Sequence, residues 1–487
     1  GESLSTWATL HFRAPYTHFF AQDDWKVSRH LTLNLGLRYE LSPPPVEVNN
    51  GIANFDLGTT PGQPQLVLAG SQGSDWASRA LQDVNHHQFA PRFGFAYSLP
   101  DEKTVIRGGY GLFYSNLITL GGMSSMEINP PNSVRVSLTA SKTTPSLFLD
   151  QGFPAGSLSL ANARNVTLVS YDRRSVPPTA QQWNLDVQRQ LPGGVLLEVG
   201  YYGNKFDHNW WSIDGNPALP APGALNANRL YKSAAVPGTP YTVSLSNVVR
   251  IQKDGYSDYN ALQVKVEKRY ARGLTFIASY SYSKTMALGD AAGLQDPTNW
   301  AAERAVAGQD LTHHFVGSAV YDLPFGKGKP FGSHWNRALN AALGGWSVGS
   351  IVSVSSGFPL NPTVSSDPSN TGQTDRPNLV GDWHLANPTV QEWFNTAAFS
   401  PNAPYTFGDA GRNILRGPGL FNVDLAAHKS FQITERISAQ LRLESFNLTN
   451  TPALGNPVTD YSSGSSFGQI QSAGPPRDNQ IGLKVVF

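Results

Sequence analysis

Three pairs of charged side chains that stand two residues apart are the first candidates for polar chemistry. The six residues are Arg38, Glu40, Lys265, Glu267, Arg442 and Glu444. Residues two apart in a β-strand point to the same face of a sheet. Each pair therefore predicts a face that carries charge and lies against water, where it lines a polar interior.

A second candidate set is a group of charged residues in one long segment that lacks strand periodicity. It comprises Asp375, Arg376, Asp382, Glu392, Asp409 and Arg412. Carboxylates and guanidinium groups together can bind a sugar or a peptide. The alternative, which we favour for this set, is charge that is simply solvated on a loop. We therefore assign no ligand-binding residue from the sequence.

Adjacent histidines and aspartates invite a metal or catalytic interpretation, but strand geometry argues against it. The pairs are His86 with His87, His313 with His314, and Asp23 with Asp24. Neighbouring residues of a strand face opposite ways, so the two members of a pair do not share one site. The chain also lacks cysteine, a His-Glu-x-x-His motif and a Gly-x-Ser-x-Gly elbow with suitably placed partners. We predict no enzyme activity, no metal centre and no cofactor.

Composition excludes several classes of protein. Only 15 % of the residues are charged and 11 % are aromatic, whereas roughly 25 % are charged in a typical globular protein. The formal net charge of +1 gives no reason to expect a nucleic-acid partner. No run of about 18 apolar residues occurs, so no transmembrane helix is predicted. Transmembrane strands stay permitted, because they need only alternate residues to be apolar.

Long strands are the elements that would position the charged pairs. From Leu31 to Leu41, apolar residues alternate with polar ones, and Arg38 and Glu40 lie on the polar side. At about 3.3 Å per residue, this segment is long enough to cross a membrane at a tilt. The same period predicts 13 strands, at 16–27, 31–41, 88–99, 104–115, 181–191, 195–204, 259–270, 274–285, 313–323, 345–356, 421–431, 436–448 and the C-terminal segment.

The connections between these strands alternate between short and long. Short turns are predicted at 28–30, 100–103, 192–194, 271–273 and 432–435, whereas 324–343 is long where a short turn is due. Long loops are predicted at 42–87, 116–180, 205–258, 286–312, 357–420 and 449–477. Outer-membrane barrels have short periplasmic turns and long extracellular loops, and a soluble sandwich gives no reason for this parity. We therefore predict an all-β fold, an antiparallel up-and-down transmembrane β-barrel.

The C-terminal residues keep the period of two and end on an aromatic side chain. Apolar residues share one face from Ile481 to Phe487. This pattern resembles the C-terminal signal that the machinery for outer-membrane barrel assembly reads. Its four places are filled by Gln480, Gly482, Val485 and Phe487. Loop parity places Phe487 in the periplasm, and the odd strand count and the start at Gly1 without a signal peptide lead us to expect a fragment of a longer protein.

Seven further segments carry a family resemblance when they are taken together. They are FAQDDWKV (20–27), LNLGLRYE (33–40), APRFGFAY (90–97), IRGGYG (106–111), GRNILRGPG (411–419), ESFNLTN (444–450) and the stretch 467–487. Jointly they resemble TonB-dependent outer-membrane receptors, and within these the Oar-like branch, whose members often carry a carboxypeptidase-regulatory-like domain. The resemblance implies a 22-stranded barrel with a plug, of which this chain is the C-terminal part.

The resemblance also implies a function and a set of partners. It implies TonB-driven uptake of an unidentified ligand (an oligosaccharide, a siderophore or a peptide) across the bacterial cell outer membrane. The implied partners are outer-membrane lipid, the barrel-assembly machinery, TonB and the external ligand. We find no plug, TonB-contacting segment or regulatory-like domain in residues 1–487, so we expect these upstream. The charged pairs at 38 and 40, 265 and 267, and 442 and 444 would then face the lumen beside the plug.

Two alternatives to this function stay open. One is a passive porin or a surface adhesin on the same barrel, and the other is a soluble β-rich carbohydrate-binding protein or hydrolase. Aromatic residues near the strand ends would form girdles at the membrane interfaces or, in a soluble protein, pack in its core. They are Trp7, Trp25, Tyr39, Tyr97, Tyr114, Trp183, Tyr201 and Trp346. The long loops are either ordered and ligand-binding or partly disordered and shielding.

Overall fold

The computed structural model describes residues 2–5, 9–58, 64–115, 125–138, 158–174, 176–288, 294–434 and 436–487. Thirteen long strands of this part form one antiparallel sheet, in which each strand pairs with the next along the chain. They are β1 (Thr17–Lys26), β2 (Leu31–Leu41), β3 (Phe89–Ser98), β4 (Thr104–Tyr114), β5 (Thr179–Leu191), β6 (Val195–Asp214), β7 (Thr242–Ala271), β8 (Leu274–Leu288), β9 (His313–Asp322), β10 (Trp346–Ser355), β11 (Leu420–Gln432), β12 (Ser438–Phe446) and β13 (Asp478–Val486). The predicted all-β, up-and-down arrangement is confirmed.

This sheet, which we call the wall, is open along two edges in the described part of the chain. There β1 pairs only with β2, and β13 only with β12. Shorter strands add to its margin: Val166–Tyr171 and Ser233–Ala235 pair with β7, and Ala305–Val306 pairs with β8. The long connections, except the one at 324–343, leave the wall at one end, the long-loop end, and the other end is the short-turn end.

Glycine and side chains that bond to the backbone shape the short turns. Gly193 and Gly194 join β5 to β6 with φ of +77° and +72°, a region that side chains disfavour. Before β4, Asp101 Oδ1 accepts hydrogen bonds from Lys103 N and Thr104 N at 3.0 and 3.1 Å. Turns of this kind fix the register of the strands on both sides.

The strands β6 and β7 are much longer than the sequence predicts. β6 continues to Asp214 and β7 begins at Thr242, so half of the segment expected as a loop at 205–258 is an extension of this hairpin. Register shifts between Phe206 and Trp211 interrupt the pairing there. Buried residues occur on both faces of the extension, so its apolar residues do not alternate cleanly.

The first cap is a folded body at the long-loop end, made of residues 42–58, 64–88, 125–138 and 158–174 and the extension of β6 and β7. Its short strands are Val46–Glu47, Ala53–Asp56, Gln65–Leu68, Arg135–Leu138 and Val166–Tyr171, and Glu2–Ser5 and Phe12–Arg13 pair onto it. Helix α1 (Trp76–Ala80) begins at Asp75, whose carboxylate accepts from Ser78 N. Phe55, Leu168 and Val243 are completely buried, so the first cap has a hydrophobic core of its own.

The second cap is a folded body made of residues 294–312, 356–419 and 447–477. Its short strands are Ala305–Val306, Pro359–Leu360, Asn378–Leu379, Phe399–Ser400 and Leu415–Arg416. The rings of Phe394, Phe399 and Phe467 pack edge to face, with centroids 5.0 to 5.8 Å apart. They form the centre of a second hydrophobic core. Most of the described long-loop residues therefore belong to folded bodies.

The connection at 324–343 is long although it lies at the short-turn end, and it is folded. Helix α2 (Arg337–Leu343) begins at Asn336, whose side-chain oxygen accepts from Leu339 N at 2.8 Å. Before it, the ring of Phe325 stacks on Trp335 with centroids 6.4 Å apart. In the described part of the chain, no helix is long and apolar enough to span a membrane.

Candidate functional site

One face of the wall, the polar face, carries small or polar residues along most of its width. Residues in register across β1 to β8 are Asp24, Asn34, Gly94, Gly109, Asn184, Tyr202, Ala261 and Ser283. On β11 to β13 the same face carries Ala426, Glu444 and Gln480 side by side. Such a face lies naturally against water or against other polar protein groups.

The opposite face, the apolar face, carries large apolar side chains in the open. Leu37 is 49 % exposed, Leu185 is 51 % exposed and Ile481, on the edge strand, is 77 % exposed. A water-soluble protein rarely leaves so broad an apolar surface uncovered. Lipid hydrocarbon is the environment in which this face is stable.

Two of the sequence-predicted charged pairs are ion pairs on the polar face. Arg38 Nε lies 2.8 Å from Glu40 Oε1, and the Glu40 side chain is largely buried. Lys265 Nζ lies 3.3 Å from Glu267 Oε2, and both side chains are partly exposed. His18 Nδ1 approaches the other oxygen of Glu40 at 3.7 Å. In both pairs, each charged group on the polar face lies beside a group of opposite charge.

The third predicted pair, Arg442 and Glu444, lies on the polar face, and each residue takes a different partner. Arg442 Nε donates to Gln440 Oε1 at 2.8 Å. Glu444 Oε1 lies 3.5 Å from His428 Nε2 on the neighbouring strand β11. The charged residues are thus linked to neighbours within the wall, and this geometry indicates a lining rather than a reaction centre.

The four residues of the C-terminal pattern divide between the two faces of β13. Gln480 stands opposite Glu444 and Gly482 opposite Arg442, both on the polar face. Val485 is on the apolar face, 48 % exposed, and the terminal Phe487 is 96 % exposed. An aromatic residue presented in this way at the edge of the sheet is free for contact with another protein or with lipid.

A recess with a volume of about 630 Å³ lies in the polar face, across β3 to β7. Glycines form part of its floor, and aromatic, amide and guanidinium side chains surround them. The side chains are Arg92, Phe113, Gln182, Asn184, Tyr202, Asn204, Tyr259 and Gln263. The recess lies in the half of the wall toward the long-loop end, because β3 and β5 begin and β4 ends there. Sequence reasoning missed it, since only the register brings these residues together.

Two aromatic rings of the recess lie along the wall because glycine makes room for them. A Cβ on Gly111 would stand 2.8 Å from the Phe113 ring, and one on Gly200 would stand 2.6 Å from the Tyr202 ring. The guanidinium carbon of Arg92 lies 4.7 Å from the centre of the Phe113 ring. The short-range signal in the sequence is an aromatic residue two positions after a glycine on the same face.

The charged residues predicted at 375–412 do not come together as one site. Arg376 Nη1 lies 2.8 Å from Glu303 Oε2 deep in the second cap, where the two side chains are 4 % and 1 % exposed. Asp409 Oδ1 accepts from the backbone N–H of Leu379 at 2.7 Å. Asp382 pairs with His384 on the surface at 2.6 Å. The remaining three lie elsewhere in the second cap: Asp375 and Arg412 are buried, and Glu392 is exposed. The favoured alternative, solvated loop charge, is therefore wrong for Asp375, Arg376 and Arg412.

The neighbouring pairs of histidines and aspartates also stay apart. His313 Nδ1 lies 2.8 Å from the Tyr280 hydroxyl on the apolar face, and His314 points to the polar face. Asp24 accepts from Asn34 Nδ2 at 2.6 Å, whereas Asp23 lies on the apolar face. Across the described residues, no group of three or more His, Asp or Glu side chains is arranged to hold a metal ion.

The predicted girdle residues share one face. Trp25, Tyr39, Tyr97, Tyr114, Trp183, Tyr201 and Trp346 all lie on the apolar face by register, and Trp7 lies outside the described residues. Trp25 is 53 % exposed and Tyr201 is 44 % exposed. This placement agrees with rings that contact lipid headgroups, where one side is apolar and the other is wet.

A buried lysine in the first cap was not singled out from the sequence. Lys253 is 4 % exposed, and its Nζ donates to Gln82 Oε1 at 3.0 Å and to the Arg174 carbonyl at 2.7 Å. The rings of Tyr171 and Trp210 stand 5.2 and 5.9 Å from Nζ. Burial lowers the pKa of Lys253 to about 8. The lysine connects three segments of the first cap, and this is a structural role.

The model of the family described as outer membrane beta barrel domain matches residues 2–480. The chain therefore belongs to this family, and its location is the bacterial outer membrane. The predicted class, an outer-membrane β-barrel protein, is confirmed. Membership of the Oar-like branch stays a prediction. No curated protein matches the sequence.

Several solved structures are similar to the chain at low sequence identity. The outer membrane transporter YddB from Escherichia coli is 8 % identical with a TM-score of 0.49, over 97 % of this chain and 45 % of its own. The ferric-catecholate import receptor Fiu from Escherichia coli K12 is 12 % identical with a TM-score of 0.43, over 98 % and 45 %. The pyoverdine receptor FpvA from Pseudomonas aeruginosa is 11 % identical with a TM-score of 0.45, over 99 % and 44 %. The chain spans less than half the length of each.

Proposed function

We propose that this chain is the C-terminal part of the barrel of a TonB-dependent receptor, which takes up an external ligand across the outer membrane. The observation that carries this proposal is a wall of 13 strands with one apolar and one polar face and two folded caps at one end. An apolar outer surface suits lipid, a polar inner surface suits a plug and a passing ligand, and caps suit ligand capture. The TonB requirement rests on the family resemblance.

The proposal assigns an orientation and an inside to the wall. The short turns lie in the periplasm, and both caps lie outside the cell. The polar face lines the lumen, where Arg38, Glu40, Lys265, Glu267, Arg442 and Glu444 contact water or a plug that is not part of this chain. The exposed apolar side chains of the opposite face support this assignment of the polar face to the inside of the barrel.

We also propose that β13 carries the signal for barrel assembly. The last residue, Phe487, is almost fully exposed, and β13 lies at an edge of the wall, where an assembly factor can pair with it. Gln480 and Gly482 on the polar face and Val485 on the apolar face complete the signal. The partner is the barrel-assembly machinery.

One experiment in two stages tests the function. Cells that express the full-length gene are fractionated, and the mature protein is expected in the outer membrane as a species whose gel mobility changes on heating. Growth on candidate ligands is then compared with and without TonB. Growth that needs both the receptor and TonB supports the proposal. Uptake that persists without TonB indicates a passive porin, and a soluble product contradicts a membrane barrel altogether.

A further inference from the structure

We propose that the recess in the polar face binds an oligosaccharide, held by its aromatic rings and its side-chain amides. This inference names the ligand class of the receptor and rests on the proposed function. It commits to a site on β3 to β7 of the wall, rather than on the caps.

The shape of the recess suits flat rings. Its volume of about 630 Å³ is in the range of roughly 300–1,000 Å³ that small-molecule sites occupy. Gly109 and Gly111 on β4 bring part of the floor down to the backbone. The Phe113 and Tyr202 rings lie along the wall beside their glycines. Such rings offer a flat apolar surface, on which the C–H face of a pyranose can stack.

The polar groups of the recess suit hydroxyl groups. Gln182, Asn184, Asn204 and Gln263 each carry a side-chain amide, which offers donors and an acceptor close together. Neighbouring hydroxyls of a sugar need this combination, because each hydroxyl donates and accepts at once.

Register places the amides close to the aromatic rings. Gln182 on β5 stands opposite Asn204 on β6, which in turn stands opposite Tyr259 on β7. In the next row, Asn184 stands opposite Tyr202. Opposite residues of neighbouring strands lie about 4.5–5.5 Å apart at their Cβ atoms. The Tyr202 ring lies over Gly200, which stands opposite Gln263 on β7, so a sugar ring that stacks on Tyr202 has the amides of Asn184 and Gln263 on its two sides.

Other ligand classes fit the recess less well. A ferric catecholate complex carries several negative charges, whereas among the described residues Arg92 is the one cationic side chain that lines the recess. An extended peptide that adds to a sheet needs a free strand edge. The backbone groups here pair with neighbouring strands on both sides of β4, β5 and β6. Arg92 can also hold the carboxylate of an acidic sugar.

The test uses purified full-length receptor in detergent and isothermal titration calorimetry. The probes are cellohexaose, maltohexaose and xylohexaose, with hexagalacturonate as the acidic member. We expect at least one probe to bind. Tyr202→Ala and Gln182→Ala should each raise the Kd of that probe by about tenfold or more. The matched controls are Tyr201→Ala and Gln181→Ala, which change the neighbouring residues on the apolar face. They should leave the Kd within about twofold.

Two results would overturn the inference. One is that none of the four probes binds to receptor that is folded by its heat-shifted gel mobility. The other is that folded Tyr202→Ala or Gln182→Ala binds as tightly as the control variants. An effect on Kd in folded protein separates a binding role from a merely structural one.

Uptake measurements separate failure of this inference from failure of the proposed function. If a probe binds in the recess but enters cells equally well without TonB, the sugar site stands and TonB dependence is wrong. If TonB-dependent growth occurs on a ferric chelate and is unchanged in Tyr202→Ala, the receptor stands and the sugar site is wrong.

Discussion

The wall and the two caps solve the same problem, satisfying polar groups, in opposite ways. In the wall, neighbouring strands pair the backbone, and the ion pair of Lys265 with Glu267 is 42 % and 34 % exposed. In the second cap, the ion pair of Arg376 with Glu303 is only 4 % and 1 % exposed. A charged side chain on the wall is stabilised by the medium that covers it. A charged side chain in the cap is stabilised by its oppositely charged partner.

The caps also use side-chain amides where the wall uses strand partners. Asn54 accepts from Tyr171 N at 2.8 Å and donates to Tyr171 O at 2.9 Å. Asn129 makes the same exchange with Val169, at 2.8 Å in each direction. Each amide thus imitates one step of a β-ladder between segments that are not strand neighbours. Irregular backbone can be buried only when its N–H and C=O groups find such partners.

The largest expected effect is the loss of the buried ion pair. Glu303→Ala leaves the guanidinium of Arg376 buried without its carboxylate, at a cost of about 3–5 kcal/mol. We expect the second cap to lose its resistance to proteolysis while the wall keeps its heat-dependent gel shift. Protease titration followed by mass spectrometry of fragments from 357–419 measures this.

A double variant sharpens the same comparison. Replacing both partners by methionine removes the stranded charge, so Glu303→Met with Arg376→Met should be more stable than Glu303→Ala alone. If the double variant and Glu303→Ala were equally sensitive to protease, the unpaired charge of Arg376 would not be the cause of the lost stability. Loss of the gel shift in either variant would mean that folding of the wall depends on the second cap, although the cap has a hydrophobic core of its own.

The next effect tests the two faces of the wall. Leu35 is near the middle of β2 on the apolar face, and Leu35→Arg places a charge in hydrocarbon at about 2–4 kcal/mol. Asn34→Leu, its neighbour on the polar face, removes the bond to Asp24 and should cost about 1 kcal/mol. Urea unfolding in lipid vesicles measures both. If Leu35→Arg assembles normally and Asn34→Leu does not, the faces are assigned the wrong way round.

The difference between wall and caps also explains what the sequence predicts and what it does not. Strands of the wall alternate because each face meets one medium, and the segment from Leu31 to Leu41 is recovered residue for residue. The extension of β7 from Thr242 has buried side chains on both faces and bulges, so the alternation fails there. The caps have no period at all, since distant short segments build their cores.

The candidate site shows the same limit. Charged pairs such as Arg38 and Glu40 are two residues apart, so local spacing predicts their shared face. Residues of the recess such as Gly109, Asn184 and Tyr202 become neighbours only through the register of several strands. Glu303, the partner of Arg376, is 73 residues away along the chain. No local sequence pattern predicts the pairing of Glu303 with Arg376.

A pH effect of intermediate size is expected in the first cap. Lys253 has a pKa of about 8 in the folded cap because it is buried. The pKa of a lysine in an unfolded chain is roughly 10.4. Between these values unfolding takes up a proton, so the stability of the cap rises with pH. The gain is complete above the unfolded pKa and is lost as pH falls through 8. It amounts to about 3 kcal/mol at most.

Urea-dependent proteolysis of the first cap at pH 8 and pH 10 measures this gain. Lys253→Met has no titrating group at this position, so the difference between the two pH values should shrink in the variant. The same increase with pH in both proteins would assign it to other groups, such as the tyrosines. The wall serves as internal control, because its gel shift should not change over this range.

The smallest effect is expected for the ion pair of the wall. Lys265 Nζ and Glu267 Oε2 are 3.3 Å apart, but water reaches both side chains. Exposed pairs of this kind contribute about 0–1 kcal/mol. In a double-mutant cycle with Lys265→Ala and Glu267→Ala, the coupling measured by urea unfolding should therefore stay below about 1 kcal/mol. A coupling as large as that of Arg376 with Glu303 would mean that the polar face is dehydrated in the full-length protein. In that case a tightly packed plug, rather than water, covers this part of the wall.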